Sequence, residues 1–155
     1  MQTISMKARY ALRALYALAA EEARAPTLIA ELAKRERIPR KFLEAILLDL
    51  RNAGILRSKK GKGGGYALAR PAGEITIGQI MRAIDGPLAP IPCVSERAYA
   101  RCAECPSEET CGTRMVMKEV RDAIARVLDG TTLAGVHRRV AEATLQATNT
   151  VAYSI

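Results

Sequence analysis

The sequence predicts a mainly α-helical fold that carries one small β-ribbon. Three observations predict it. Of 155 residues, 49% are hydrophobic but only 4% are aromatic, and there is no Trp; the apolar residues are mostly Ala and Leu, which favour helices over sheets. Apolar side chains recur at spacings of three and four along most of the chain. One stretch breaks this rhythm, where two short runs flank the glycine-rich segment Gly61 to Gly65. The length and the 26% of charged residues fit a small domain with an appendage, and exclude two large domains or global disorder.

From Ile4 to Ala20, the residues Tyr10, Ala11, Ala14, Leu15, Leu18 and Ala19 share one helical face, with Lys7, Arg9 and Arg13 on others. This is a first, buried helix. After Pro26, Thr27 is placed to cap a short helix with an apolar face of Leu28, Ile29 and Leu32 that ends in the charged run Lys34 to Arg37. Pro39 then suits the first turn of a third helix, in which Phe42, Leu43, Ile46, Leu47 and Leu50 repeat until Gly54 supplies the stop. Ile55 to Ser58 and Tyr66 to Ala69 read as the strands of a ribbon. Helix, turn, helix and ribbon in that order make a winged helix-turn-helix, assigned to residues 1–80.

Pro71, Gly73 and Thr76 lead into a helix from Ile77 to Ile84, and Gly86, Pro87, Pro90 and Pro92 argue against another helix directly after it. Residues 81–112 are therefore a cysteine-bearing region, with a loop over 86–112. Residues 113–146 are expected to form a long helix, striped by Val116, Val120, Ile124, Val127 and Leu128, and a short last helix capped by Thr131 or Thr132. Residues 147–155 read as a loose tail. A small domain cannot bury so long a stripe alone, so packing against the same helix of a second subunit is expected, with packing onto its own domain as the alternative.

The net charge of +8 is unevenly placed. Residues 1–70 hold 15 Lys and Arg against 6 Asp and Glu, and residues 71–155 hold 9 against 10. Concentration of the excess in one half is what a phosphate-facing surface requires. The candidate DNA contacts are Arg40, Lys41, Glu44 and Arg51 on the third helix, with Arg57, Lys59, Lys60 and Lys62 on the ribbon. Arg40 and Lys41 lie in the first turn, where a recognition helix meets base edges, and Glu44 suits a cytosine amino group. The competing reading of the ribbon is a solvated basic loop. Gly61 to Gly65 lacks the Lys-Ser or Lys-Thr of a nucleotide-binding loop. No uncharged run is long enough to span a bilayer and no secretion signal opens the chain, so a cytoplasmic protein without membrane contact is expected.

Cys93, Cys102, Cys105 and Cys111 are spaced C-x8-C-x2-C-x5-C in the Pro- and Gly-rich loop. In a reducing compartment such clustering points to a thiolate metal site or to redox thiols rather than to structural disulfides. Zinc suits four thiolates but lacks here the second two-residue gap of many structural sites, whereas an iron–sulfur cluster accepts less regular spacing. With His137 as the only histidine and no paired carboxylates, no catalytic constellation forms and no enzyme is expected.

These residues resemble the Rrf2 family of bacterial winged-helix regulators, of the IscR and NsrR kind. The resemblance rests on Lys7-Ala-Arg-Tyr-Ala-Leu, Ile38-Pro-Arg-Lys-Phe-Leu-Glu44, Gly61-Lys-Gly-Gly-Gly-Tyr66 and the cysteine loop ahead of a long helix, and covers nearly the whole chain. It implies a homodimer with crossed long helices on a roughly palindromic operator in double-stranded DNA, with affinity set by a 2Fe-2S or 4Fe-4S cluster on the loop cysteines. Members of the iron–sulfur type place three cysteines at nearly even gaps and a histidine shortly after. Here Cys105 and Cys111 match the last pair, Cys102 is an additional thiol, and Arg114 stands near the histidine's place. Other members take a ligand from an acid in the partner's first helix, but residues 1–20 hold no Asp or Glu, so the resemblance implies a four-cysteine site. The expected function is a transcription regulator, a repressor, controlled by that cluster. The alternatives are a winged-helix regulator with a zinc staple or thiol switch, and a cluster-carrying redox or assembly protein.

Overall fold

The computed structural model describes residues 4–21 and 26–152. Helix α1 (Met6–Ala20) is capped by Ser5, whose hydroxyl accepts from the Ala8 amide at 2.9 Å. Ser5 also donates to the Asp85 carboxylate, which places negative charge at the amide end of α1, where the helix dipole favours it. The stripe Ala8, Ala11, Ala14, Leu15 and Leu18 is buried.

Helices α2 (Ile29–Glu36) and α3 (Arg40–Asn52) form the helix-turn-helix, burying Leu32 and Ala33 from one, and Leu43, Ile46, Leu47 and Leu50 from the other. Between them Arg37 adopts a left-handed conformation, φ 52, so that the Ile38 amide reaches the Ala33 carbonyl at 3.0 Å and ends α2. Gly54 closes α3 as expected, with the Ile55 amide 2.9 Å from the Leu50 carbonyl. Pro39 stands just outside α3 as its N-cap rather than in its first turn. Phe42, expected in the core, is 44% exposed and lies edge-on to Tyr10 with centroids 5.7 Å apart; its helical position, about 100° round from Leu43, turns it off the buried face.

Thr27 does not cap α2. Its amide donates to the Tyr66 carbonyl at 2.9 Å and its own carbonyl accepts from the Tyr66 amide at 2.8 Å, so its extended backbone extends the ribbon and Leu28 takes the capping position. The ribbon pairs β1 (Leu56–Lys59) antiparallel with β2 (Gly65–Leu68), from Leu56 opposite Leu68 to Lys59 opposite Gly65. Gly65 sits at φ 140, and a Cβ there would overlap the Thr27 carbonyl, a backbone group that cannot swing aside. Gly65→Ala is therefore expected to break the Thr27–Tyr66 bridge and cost about 1–3 kcal/mol; thermal unfolding checks it, and an unchanged midpoint would contradict this packing.

Helix α4 (Ile77–Ile84) starts at a capping box in which Thr76 accepts from the Gln79 amide at 3.2 Å and the Gln79 side chain accepts from the Thr76 amide at 3.2 Å. The following loop is irregular except for a 3-10 turn at Pro92–Val94. Helix α5 (Gly112–Asp129) fully buries none of its residues in the single chain; Val116, Val120, Ile124 and Val127 of its stripe are exposed, and Leu128 is half-buried against the core.

The last helix is not short. Helix α6 (Leu133–Ala152) begins at Thr132, whose hydroxyl accepts from the Gly135 amide at 3.1 Å, and runs through residues 147–152, which were expected in the loose tail; residues 153–155 lie outside the described ones. After Gly135 no Gly or Pro interrupts the chain, so the middling helix propensity of Thr148, Asn149 and Thr150 is overridden by the helix ahead of them. Its first residue, Leu133, is fully buried in one core with Leu15, Leu43, Leu47 and Ile80. The start of α6 thereby returns to the winged-helix unit, while α5 meets it at its C-terminal end, where Leu128 packs against the core and Asp129 meets Arg82.

Candidate nucleic-acid interface and thiol loop

The side of α3 opposite its buried stripe carries Arg40, Lys41, Glu44 and Arg51, all exposed. One turn apart, Arg40 and Glu44 pair at 3.1 Å, an exposed pair with little effect on stability. It holds an arginine fork and a carboxylate side by side in the first two turns, where base edges would be met. Leu48 is 43% exposed on the same face. The sequence reading missed it because leucine on an amphipathic helix reads as core; an apolar group there suits a thymine methyl.

The ribbon presents Arg57, Lys59, Lys60 and Lys62 to solvent. Arg57 Nε donates to the Leu68 carbonyl at 3.2 Å, so this arginine also braces the two strands, while the lysines crowd the tip. Arg37, exposed in the left-handed turn before α3, adds a charge the sequence reading counted only as the end of a helix. The signal that could have found it is its place in the tight turn ahead of Pro39. Among the described residues no helix is long and apolar enough to cross a membrane.

The four cysteines are all free thiols, and they are not equivalent. Cys93 is 8% exposed inside the 3-10 turn, Cys102 is exposed, and Cys105 and Cys111 are half-buried. Desolvation pushes the Cys105 thiol above its ordinary pKa, and the neighbouring Cys111 and Cys102 push it the same way against Arg101. Cys102 and Cys111 thus lie near enough to act on Cys105, whereas Cys93 is buried in the 3-10 turn. Among the described residues no three of His, Cys, Asp or Glu stand close enough to enclose a metal ion. The chemistry of the donor set fits a thiolate-held iron–sulfur cluster or zinc, and the loop must draw in to complete it. Arg114, near the place where the family's histidine would stand, cannot ligate because a guanidinium has donors only; its Nε is buried without a hydrogen-bond partner.

The loop is tied to the helices on both sides. Cys111 is the N-cap of α5, and Arg121 of α5 donates to the Val94 carbonyl at 2.8 Å, next to Cys93. Across the loop a Tyr99 hydroxyl–Glu108 hydrogen bond raises the pKa of the phenol. At the other end of α5, Asp129 accepts two hydrogen bonds from Arg82 of α4, at 2.6 and 2.8 Å. Gly78 makes room for this pair, since a Cβ there would overlap the Asp129 carboxylate.

Those bonds hold the Asp129 carboxyl below its usual range and raise Arg82. Because the folded pKa of Asp129 is the lower one, its contribution is fully present above the carboxylate range of the unfolded chain and is lost as pH falls through the folded value. Asp129→Asn is accordingly expected to lower the thermal midpoint near neutral pH and to flatten its acid limb; an acid limb identical to that of the unaltered chain would contradict the assignment.

Comparison with known proteins extends this description. Residues 4–139 match the Rrf2 family, described as an iron-dependent transcriptional regulator. An Rrf2-like HTH-type transcriptional regulator of Rhodobacter capsulatus is 43% identical over 84% of this chain and 89% of its own length. Among solved structures, CymR (YrzC), the global cysteine regulator of B. subtilis, superposes with a TM-score of 0.74 at 32% identity, covering 90% of this chain and 98% of that one. IscR of T. potens gives 0.72 at 27% identity, covering 92% and 90%. Both share the winged-helix architecture built here from α2, α3 and the ribbon. Sequence, fold and basic surface agree that this chain belongs to the Rrf2 family and is a DNA-binding transcription regulator, not an enzyme.

Proposed function

We propose that this regulator acts as a homodimeric repressor on a roughly palindromic operator, and that an iron–sulfur cluster on its loop thiols sets its affinity for DNA. The observation that supports the reading is that four free thiols stand in one irregular segment running from the 3-10 turn to the start of α5, with Cys111 as that helix's N-cap. Cys93 is the remaining thiol of the loop. A bound cluster supplies redox- and iron-sensitive thiolate coordination. Everything else is done by the chain's own residues.

Cys111 caps α5, so a movement of the loop is felt at the start of that helix. Through Arg121 and Val94 it reaches the 3-10 turn, and through Asp129 and Arg82 it reaches α4, which packs on α3. The exposed α5 stripe is the surface for a second copy, so the same movement would change the distance between two recognition helices. Such a switch works only if the two loop states bind DNA differently. On the DNA, α3 reads bases while Lys59, Lys60 and Lys62 meet phosphates.

A second reading has its own support: the similarity to CymR, a cysteine regulator, and the exposed Cys102 thiol favour a direct thiol switch without metal, with a zinc staple as the variant. Iron, sulfide and zinc analysis of anaerobically purified protein, with its visible spectrum, separates the three. Matched iron and sulfide with visible bands support the cluster; a colourless zinc protein or a metal-free one overturns it. For the DNA face, Arg40→Ala is expected to cost about 1–3 kcal/mol and relax base preference at one half-site position, whereas Lys60→Ala weakens all sequences about equally. Operator variants measured by binding titration check this, and unchanged preference in Arg40→Ala would move the reading surface elsewhere.

A further inference from the structure

Apart from the thiols, an open cavity of about 270 Å³ lies where the end of α3, the end of the ribbon, α4 and the loop meet. Arg70, just past β2, Gln79 and Arg82 of α4, and Arg97 of the loop line it, with Ile55 among its apolar wall. Three arginines thus converge on one small space. Two acids lie near them: Asp129 holds Arg82 with two bonds and also acts on Arg97, offsetting one of the three positive charges, and Glu96, beside Arg97 in sequence, lies 3.5 Å from Arg121. Arg70 donates to the Gln79 amide oxygen at 3.4 Å. No ion pair recorded among the described residues involves Arg70 or Arg97.

Even with Asp129 counted the cavity keeps an excess of positive charge; like charges gathered there repel, and an anion between them converts that repulsion into attraction. Arginine is suited to the task, because its planar fork matches the two oxygens of a carboxylate or phosphate. Arg82 is already fixed in orientation by Asp129. Gln79 uses its amide oxygen toward Thr76 and Arg70, which leaves its amide nitrogen as a neutral donor. The volume is at the low end for ligand sites, which suits a compact polyanion rather than a nucleotide.

We propose that this cavity binds a small oxyanion carrying at least two negative charges, a phosphate or a short dicarboxylate. Bound there, the anion ties the loop to the base of the wing through Arg97 and Arg70. It would give the regulator an input separate from its cysteines, because no cysteine lines the cavity.

The test is titration of the full-length protein with inorganic phosphate, and in parallel with malonate, at ionic strength held constant with potassium chloride and followed by calorimetry. Saturable binding is expected, weakened about tenfold or more by Arg97→Gln and by Arg70→Gln. Arg139→Gln, which removes one exposed arginine from α6, should leave it unchanged. Circular dichroism confirms that the variants are folded; Arg97 is exposed, so Arg97→Gln carries the test if Arg70→Gln is not. Absence of saturable binding, or equal binding by all variants, would overturn the proposal. So would phosphate binding that a short non-operator duplex displaces, with Arg70→Gln weakening that duplex, because the arginines would then serve the DNA backbone. None of these outcomes bears on whether the cysteines hold a cluster.

Discussion

Replacing Cys105 by Ala is expected to abolish the response of operator binding to iron and to oxidants while leaving the protein folded. Cys105 lies within electrostatic reach of both Cys111 and Cys102, so its loss removes the loop thiol that has two others near it. It lies in an irregular segment outside the hydrophobic core, and trimming it to Ala removes little packing. The size of the effect follows from population arithmetic: moving a two-state equilibrium almost fully across requires a preference of about 10⁴ for one state. In Cys105→Ala the ratio between the affinities of treated and untreated protein should collapse to about one. A variant that still lost or gained operator affinity on iron removal would place the switch elsewhere.

The second large effect concerns the wing. Lys59, Lys60 and Lys62 are all exposed at the ribbon tip, where cations placed beside a recognition helix meet phosphates. Each phosphate contact contributes about 0.9 to the slope of log affinity against log salt on B-form DNA. Removing all three by Ala substitution is therefore expected to reduce that slope by about 3 per wing and to weaken operator and non-operator DNA alike. Titrations at several salt concentrations read it directly. A slope that stayed put would mean that the wing points away from the duplex and that its lysines serve only solubility.

Much of this architecture was legible because it is local. The repeat from Leu43 to Leu50, the stop at Gly54 and the return through Tyr66 are set by spacing and turn chemistry, and the structure keeps each of them. What was not legible depends on partners distant in sequence. Thr27 has the chemistry of a helix cap, and only the arrival of Tyr66 turned it into a strand partner. Ser5 has the chemistry of a cap and is one, but nothing in its neighbourhood announced Asp85 across 80 positions. The length of α6 was missed because residues after Gln146 carry no pattern of their own and continue a helix whose anchor, Leu133, is buried far upstream.

The candidate site divides along the same line. The exposure of the basic side chains of α3 and the ribbon was legible from order and charge, because an amphipathic helix and a ribbon tip present whatever is not in the core. The cysteines could be counted but not ranked, since spacing does not reveal that Cys93 is buried in a 3-10 turn while Cys102 is exposed and Cys105 and Cys111 are half-buried. The contacts that would carry a movement from loop to recognition helix, Arg121 to Val94 and Arg82 to Asp129, join residues 27 and 47 positions apart. No pattern in the chain pairs them.

Chemistry at the loop thiols is proposed to set operator affinity, and the affinity of one anaerobic preparation for operator DNA, measured before and after removal of bound iron and sulfide at fixed salt, tests it. A large difference between the two is expected, absent in Cys105→Ala. Equal affinity in both states, in a protein shown to have carried a cluster, would contradict it.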